Sequence, residues 1–321
     1  MDLKNYLQKF THLGIDKSKR KTMGGDAPHK PLLLLSIIEL INKGQIQQNQ
    51  ITLSPELIAT FKENWLLLVT TKHTCQLIYP FFYLKNDGFW QLIPKPDCTQ
   101  ELQTVVRFSF NSLNAIVAYA ELESDLFQLL LNPNSRYELQ HCLLTQYFPE
   151  TMALYLNKAQ NKNNYLEQLE TKMIQESATE YRIASEALKD EEEIFLRSQT
   201  FKKLIPRLYN DTCCISGWRL DNLWNLQMID ACHIIPFSIS HDDTVSNGIA
   251  LCPNLHRAFD RGLLTIDNDF KVKISPYLAE NTNTNYGIKQ FANQAILLPS
   301  DALFYPRLDN LKWHQENVFR A

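Results

Sequence analysis

No apolar stretch in this sequence reaches the roughly 18 residues of a membrane span. The strongest candidate, PLLLLSIIELI at 31–41, reads as a buried helix. An excess of positive charge is also missing. Lys and Arg total 32 against 35 Asp and Glu, a formal net charge of −3, so the surface as a whole is no polycation. Any contact with nucleic acid has to come from local basic patches. The 7 cysteines are odd in number and scattered, which argues against a disulfide framework and, with no secretory leader at the N-terminus, predicts a reducing cytoplasm. Internal repeats and low-complexity tracts are absent as well. What is present is a chain of 321 residues, 45% hydrophobic and 21% charged, the composition of a soluble globular protein of about two domains.

The chemistry concentrates in residues 230–262, DACHIIPFSISHDDTVSNGIALCPNLHRAFDRG. QMIDACHII, at 227–235, is rich in β-branched and apolar residues and predicts a short strand. A polar loop, SISHDDTVSNG, follows it. Pro253 then opens a helix, PNLHRAFDR, that Gly262 stops. His256 and Asp260 are one helical turn apart and share a face. An imidazole and a carboxylate so placed can hold one divalent cation, and mixed N/O ligation suits Mg, Mn, Ni or Zn. His233, arriving from the strand end, has the position of a general base that deprotonates an attacking water. Asn247 would tie the loop to the backbone and keep strand and helix in register. Arg257 and Arg261, also one turn apart, either clamp phosphate oxygens beside the metal face or form a solvated helix surface.

This order of residues resembles the HNH (ββα-metal) nuclease motif of McrA-like restriction endonucleases. On that resemblance His233 matches the family's first His, Asn247 its Asn and His256 its last His, while Asp260 falls where many members carry a further metal ligand. RGLLTIDNDFKVKIS at 261–275 resembles the hairpin that follows the motif. The activity implied is hydrolysis of a DNA phosphodiester with one divalent cation: Mg, Mn, Ni or Co, with Zn a further candidate. One position departs from the pattern. Many members carry Asp or His directly before the catalytic His, whereas this chain has Cys232. Asp230 shares a strand face with Cys232 by alternation and is the expected substitute ligand. Cys213, Cys214 and Cys252 stand where other members build a structural zinc knuckle, which needs four ligands at CxxC spacing. Ser216 and Leu255 occupy two of those positions, so the knuckle reads as lost and its cysteines as buried small apolar residues.

A basic patch lies near the N-terminus. DKSKRKTMGGDAPHKP, at 16–31, gathers Lys17, Lys19, Arg20, Lys21, His29 and Lys30 around Gly24-Gly25 and runs into the apolar helix. Such a loop, ending at a helix start, can wrap a phosphate backbone with side chains and free N–H groups. Residues 20–40 resemble the opening of the DNA sulfur-binding domain joined to HNH nucleases in McrA-like enzymes. YPFFYLKNDGFWQL, at 79–92, resembles that domain's next block, expected as a strand pair with a hairpin at Asn86-Asp87-Gly88. The resemblance implies recognition of phosphorothioate DNA, in which sulfur replaces one non-bridging phosphate oxygen. Sulfur is larger, more polarisable and a weaker acceptor than oxygen, so its reader needs an apolar dimple plus cationic donors for the remaining oxygen. Arg20, Lys21, His29 and Lys30 are the expected DNA-binding donors, Ala27 and Pro28 part of the apolar wall, and 108–124 a candidate for the rest of the cavity.

The chain order is that of a reader joined to a cutter. It predicts an α+β protein with an N-terminal mixed α/β DNA-reader domain over 1–157, a helical linker over 158–193 and a C-terminal ββα-metal (HNH) nuclease domain over 194–321. Arg197, Lys202, Lys203 and Arg207 offer a further backbone-contact surface. Trp313 and Phe319 are expected to pin the C-terminal segment, and His314 to pack rather than to catalyse. The expected partner is double-stranded, phosphorothioate-modified DNA, with no membrane contact, cut by a homodimer because two single-site chains are needed for two strands. Two alternatives stay open. One is an HNH enzyme acting on unmodified DNA or on methylated or hydroxymethylated cytosine, with Phe81, Phe82, Tyr83, Phe89 and Trp90 available for a base pocket. The other is a non-catalytic DNA-binding protein on a decayed nuclease fold.

Overall fold

A computed structural model describes residues 2–157, 164–176, 190–221, 227–281 and 287–321. Much of the expected linker, at 158–163 and 177–189, therefore lies outside the described residues. The chain divides into two compact units, Met1–Gln168 with Asp190–Leu196, and Leu169–Lys189 with Arg197–Ala321. Among the described residues no helix is long and apolar enough to cross a membrane. Over the described residues the architecture is mixed α and β, with more helix than strand and three small sheets.

In the first unit, α1 (Leu3–Thr11) precedes α2 (His29–Asn42), which contains the apolar run at 31–41. A helix that is apolar on every side has to be enclosed, and Leu32, Leu33, Leu35 and Ile37 of α2 have no exposed surface. α3 (Pro55–Leu68) starts with Pro55 at its first position behind Ser54, whose hydroxyl accepts the Leu57 N–H at 3.2 Å, a standard N-cap. The block at 79–92 differs from expectation. Its first half is a short helix, α4 (Ile78–Tyr83), followed by a 3-10 turn at Leu84–Asp87. Phe81, Phe82 and Leu84 are all buried, which no two-faced strand allows, and Gly88 (φ 76°) closes the turn in the left-handed region. β1 (Trp90–Pro94) pairs instead with the distant β2 (Val117–Leu122), antiparallel, with Trp90 opposite Leu122. α5 (Ser124–Leu131) and α6 (Pro133–Tyr147) meet at Asn132, whose side chain accepts the N–H groups of Asn134 and Ser135. α2 packs against α3 and α6, and α1 lies on α6.

α7 (Glu191–Leu208) starts in the first unit and belongs from Arg197 onward to the second. In the second unit β3 (Asp230–His233) pairs antiparallel with β4 (Gly248–Leu251), with Asp230 opposite Leu251 and His233 opposite Gly248. β4 is buried along its whole length and leads through Cys252 into α8 (Pro253–Asp260). β5 (Leu264–Ile266) and β6 (Val272–Ile274) form the following hairpin. The C-terminal helix α9 (Leu308–Asn317) is pinned by Leu311, Asn310 and His314, which are buried, while Trp313 and Phe319 are only half-buried. His314 stacks on Phe259 with ring centres 3.6 Å apart, accepts from Thr265 Oγ1 at 2.8 Å and donates to the Phe259 carbonyl at 3.1 Å. Burial drives its pKa down to about 4, so it packs as a neutral ring.

Candidate active site and DNA-reading pocket

His233 ends β3 and is held on two sides. The ring of Phe201, from α7, stacks on it nearly parallel with centres 4.0 Å apart and an interplanar angle of 7°. Its Nε2 lies 2.8 Å from Oδ1 of Asp243, a buried carboxylate whose other oxygen has no partner among the described residues. A carboxylate only accepts, so in the neutral ring Nε2 carries the hydrogen and Nδ1 the lone pair. Asp243 was not singled out from the sequence; the acidic pair Asp242-Asp243 in an otherwise uncharged loop was the available signal. Asn247 shapes that loop. Fully buried, it donates to the carbonyls of Ile235 and Asp242 at 3.0 Å each, and its Oδ1 accepts from Ile235 N–H and Asn310 Nδ2 at 3.0 Å. Asp242 Oδ1 in turn accepts from Thr244 N–H at 2.8 Å and Thr244 Oγ1 at 2.6 Å. Both polar atoms of the Asn247 side chain are thus engaged, closing the loop that carries Asp243 and tying it to α9.

His256 and Asp260 emerge from one face of α8, with Nε2 of the first 3.5 Å from Oδ2 of the second. Cys232 reaches the same point from β3, its Sγ 3.9 Å from Asp260 Oδ1. Cys232, His256 and Asp260 each offer a ligand atom, all within 4.8 Å of one another, a grouping that can hold a metal ion. Asp230 takes another position. Its Oδ2 sits 3.1 Å from Nδ1 of His256, on the opposite edge of the imidazole from Asp260. A cation lying between His256 Nε2 and Asp260 would therefore not touch Asp230, whose contact is with the other ring nitrogen. His233, Phe237, His256 and Asp260 line one cleft of about 240 Å³. Arg257 and Arg261 are exposed and do not line it. Near the start of α8, Cys252 hydrogen-bonds Cys213, and Ser216 completes the cluster; these bonds pull the Cys213 thiol down. Leu255 is buried where a fourth knuckle ligand would stand.

In the first unit a cavity of about 660 Å³ is lined by Gly14, Ile15, Asp16, Lys19, Met23, Ala27, His29, Lys30, His73, Thr74, Gln76, Tyr79, Pro80, Tyr83 and Asn86. The structure separates the expected DNA-binding donors around it. Arg20 is largely exposed and paired with Asp26 at 3.3 Å, Lys21 is exposed, and neither lines the cavity; Lys19 does. The cause is local, because Lys19 is the N-cap of the helical turn Arg20–Met23, along which successive side chains step round by about 100°. Lys30 lines the cavity but is buried in an ion pair with Asp87 at 2.5 Å. His29 donates from Nε2 to the Thr74 carbonyl at 2.9 Å and packs against Trp65. Burial lowers its pKa, so it presents a neutral ring rather than a cation. Pro28 is buried beneath the wall, and 108–124 supplies no lining residue. Tyr79, Pro80 and Tyr83 of α4 supply the apolar side; of these only Tyr83, among the aromatics available for a base pocket, stands out in a segment that reads as strand.

A strand pair followed by a helix, with a histidine at the end of the first strand and a histidine and carboxylate on the helix, defines a ββα-metal nuclease fold. Residues 213–267 match the HNH endonuclease family, and residues 4–158 match the ScoMcrA-like DNA sulfur-binding domain. The chain therefore carries a match to the ScoMcrA-like DNA sulfur-binding domain ahead of a match to the HNH endonuclease domain. No curated protein matches it. Among solved structures, one described as a modification dependent TagI restriction endonuclease is similar at 22% identity and a TM-score of 0.27, with 37% of each chain covered. This chain thus spans well under half the length of that relative.

Proposed function

We propose that this protein is a phosphorothioate-dependent DNA endonuclease in which the N-terminal domain reads the mark and the HNH domain hydrolyses the backbone. The observation that carries the catalytic half is the convergence of His233, His256 and Asp260 on one cleft. Asp243 holds the hydrogen on Nε2 of His233, which leaves Nδ1 to accept the proton of a water. That water's oxygen forms the new bond to phosphorus as the scissile P–O bond breaks, and the leaving oxygen is protonated from solvent. A divalent cation (Mg, Mn, Ni, Co or Zn) on His256 and Asp260 supplies charge stabilisation at the phosphate. Asp230 fixes the orientation of His256, Asn247 holds the loop, and Arg257 and Arg261 lie exposed on α8, where they can meet flanking phosphates.

The reader half is supported by a cavity that combines the apolar surfaces of Met23, Ala27, Tyr79 and Pro80 with the ammonium of Lys19. That pairing suits a sulfur and an anionic oxygen on one phosphorus. Arg20 and Lys21, outside the cavity, are available to neighbouring phosphates, and a homodimer supplies the second site for double-strand cleavage.

The test is a side-by-side digest of phosphorothioate, cytosine-methylated and plain duplexes of one sequence with each metal in turn. Preferential cutting of the first, abolished in His233→Ala while binding persists, is expected. Equal cutting of all three would remove the modification dependence, and nicking by His233→Ala would remove the catalytic assignment.

A further inference from the structure

We infer that Cys232 is the third protein ligand of the nuclease centre and that its sulfur selects a thiophilic divalent cation of the Zn, Co or Ni type over Mg. The inference rests on the reading of His256 and Asp260 as metal ligands and narrows which cation they take. Its first support is geometric. Cys232 Sγ stands 3.9 Å from Asp260 Oδ1, and His256 Nε2 stands 3.5 Å from Asp260 Oδ2. In a tetrahedral site with bonds of about 2.0–2.3 Å, ligand atoms are separated by roughly 3.3–3.6 Å. The three side chains therefore need only small adjustments to share one cation.

The surroundings fix that arrangement. Asp230 on Nδ1 of His256 turns Nε2 toward Cys232 and Asp260, the carboxylate–histidine support that ligating imidazoles have in metal sites. Cys232 has no exposed surface, and the β3–β4 register places it opposite Ile249. On binding, the Cys232 S–H bond breaks, the sulfur gives its electron pair to the cation and the proton leaves to solvent; no oxidant or reductant takes part. Mg binds oxygen ligands in near-octahedral geometry and sheds water reluctantly, whereas thiolate suits Zn and its softer neighbours. A carboxylate at this position would leave the site with harder, oxygen-rich ligation, so the one departure from the HNH pattern is also the residue that changes the metal.

The test uses the full-length protein titrated with Co(II), Zn(II) or Mg(II), followed by calorimetry and by absorption. Co(II) is expected to bind with a thiolate-to-cobalt charge-transfer band in the near ultraviolet, and Zn(II) and Co(II) to bind on the order of 100-fold or more tighter than Mg(II). Cys232→Ser should lose the band, and Cys232→Asp should lose it while bringing Mg(II) to within about tenfold of Co(II). The band must survive in Cys213→Ser/Cys252→Ser, which excludes the other thiol pair as its source. Stoichiometric Co(II) binding without the band, or a band that persists in Cys232→Ser, would overturn the inference and leave the nuclease reading intact. Binding that is indifferent to both His256→Ala and Asp260→Ala would instead overturn the metal centre itself.

Discussion

A general base works only if one nitrogen is bare and points at the water, and in the proposed role of His233 that choice falls to Asp243. Removing the charge while keeping the shape should expose the effect. In Asp243→Asn an amide that turns its NH₂ toward Nε2 favours the opposite tautomer, with the hydrogen on Nδ1. The cost expected is about 10²–10⁴ in kcat with KM nearly unchanged, by analogy with the loss when the orienting carboxylate of a serine-protease triad is amidated. Nitrogen NMR of the imidazole gives the tautomer directly; an unaltered tautomer with unaltered kcat would remove the role. His256 and Asp260 can be paired from sequence because helical spacing is a local rule. Asp243 cannot, because it lies 10 residues from His233 in a loop whose shape depends on Asn247 and on Asn310, far along the chain. Lys19 was likewise eclipsed by Arg20, since which of two adjacent cations faces the cavity depends on one short helical turn.

At the scale of elements, the strand pair and α7 close on each other through a glycine. A methyl group on Gly248 would lie 2.5 Å from Ile205 Cδ1 and 2.9 Å from Phe201 Cζ. The backbone there is ordinary extended strand (φ −121°), so the constraint is packing and not conformation. Gly248→Ala should therefore push α7 away from β4, disturb the Phe201 face under His233, and destabilise by about 1–3 kcal/mol, with a fall in kcat beyond what the melting shift accounts for. Full activity in that variant would show that Phe201 is dispensable to the base. A second element-level constraint lies at the start of α7, where Glu192 Oε1 accepts the N–H groups of Leu77 and Ile78 at 2.8 and 2.9 Å and so caps α4. Burial raises its pKa to about 7 from 4.5. The folded state then holds a proton that the unfolded chain has released, so this group's contribution to stability falls as pH climbs from about 4.5 to 7. Glu192→Gln should flatten that slope in melts recorded across the window, and an unchanged slope would refute the assignment. None of this was legible locally. The apolar run of α2 announces a buried helix by composition, but Tyr79–Leu84 is as consistent with a strand until its burial on successive residues is known.

For the whole molecule the question is whether reading and cutting can be separated. The net charge of −3 gives no general attraction to DNA, so affinity has to come from specific sites, and a lesion at one site should leave the chemistry of the other. Tyr79→Ala removes part of the apolar wall of the proposed reading cavity and should abolish the preference for a phosphorothioate circle over a plain one, so that the remaining nicking falls equally on both. His256→Ala should do the reverse, keeping preferential binding and losing cleavage of both substrates. The dependence on protein concentration carries further information. One chain supplies one ββα site, so nicking of a supercoiled circle should be first order in protein, whereas linearisation should rise more steeply as two chains meet on one duplex. Parallel first-order formation of both products would mean that a single chain cuts both strands in sequence, and the homodimer would then be unnecessary.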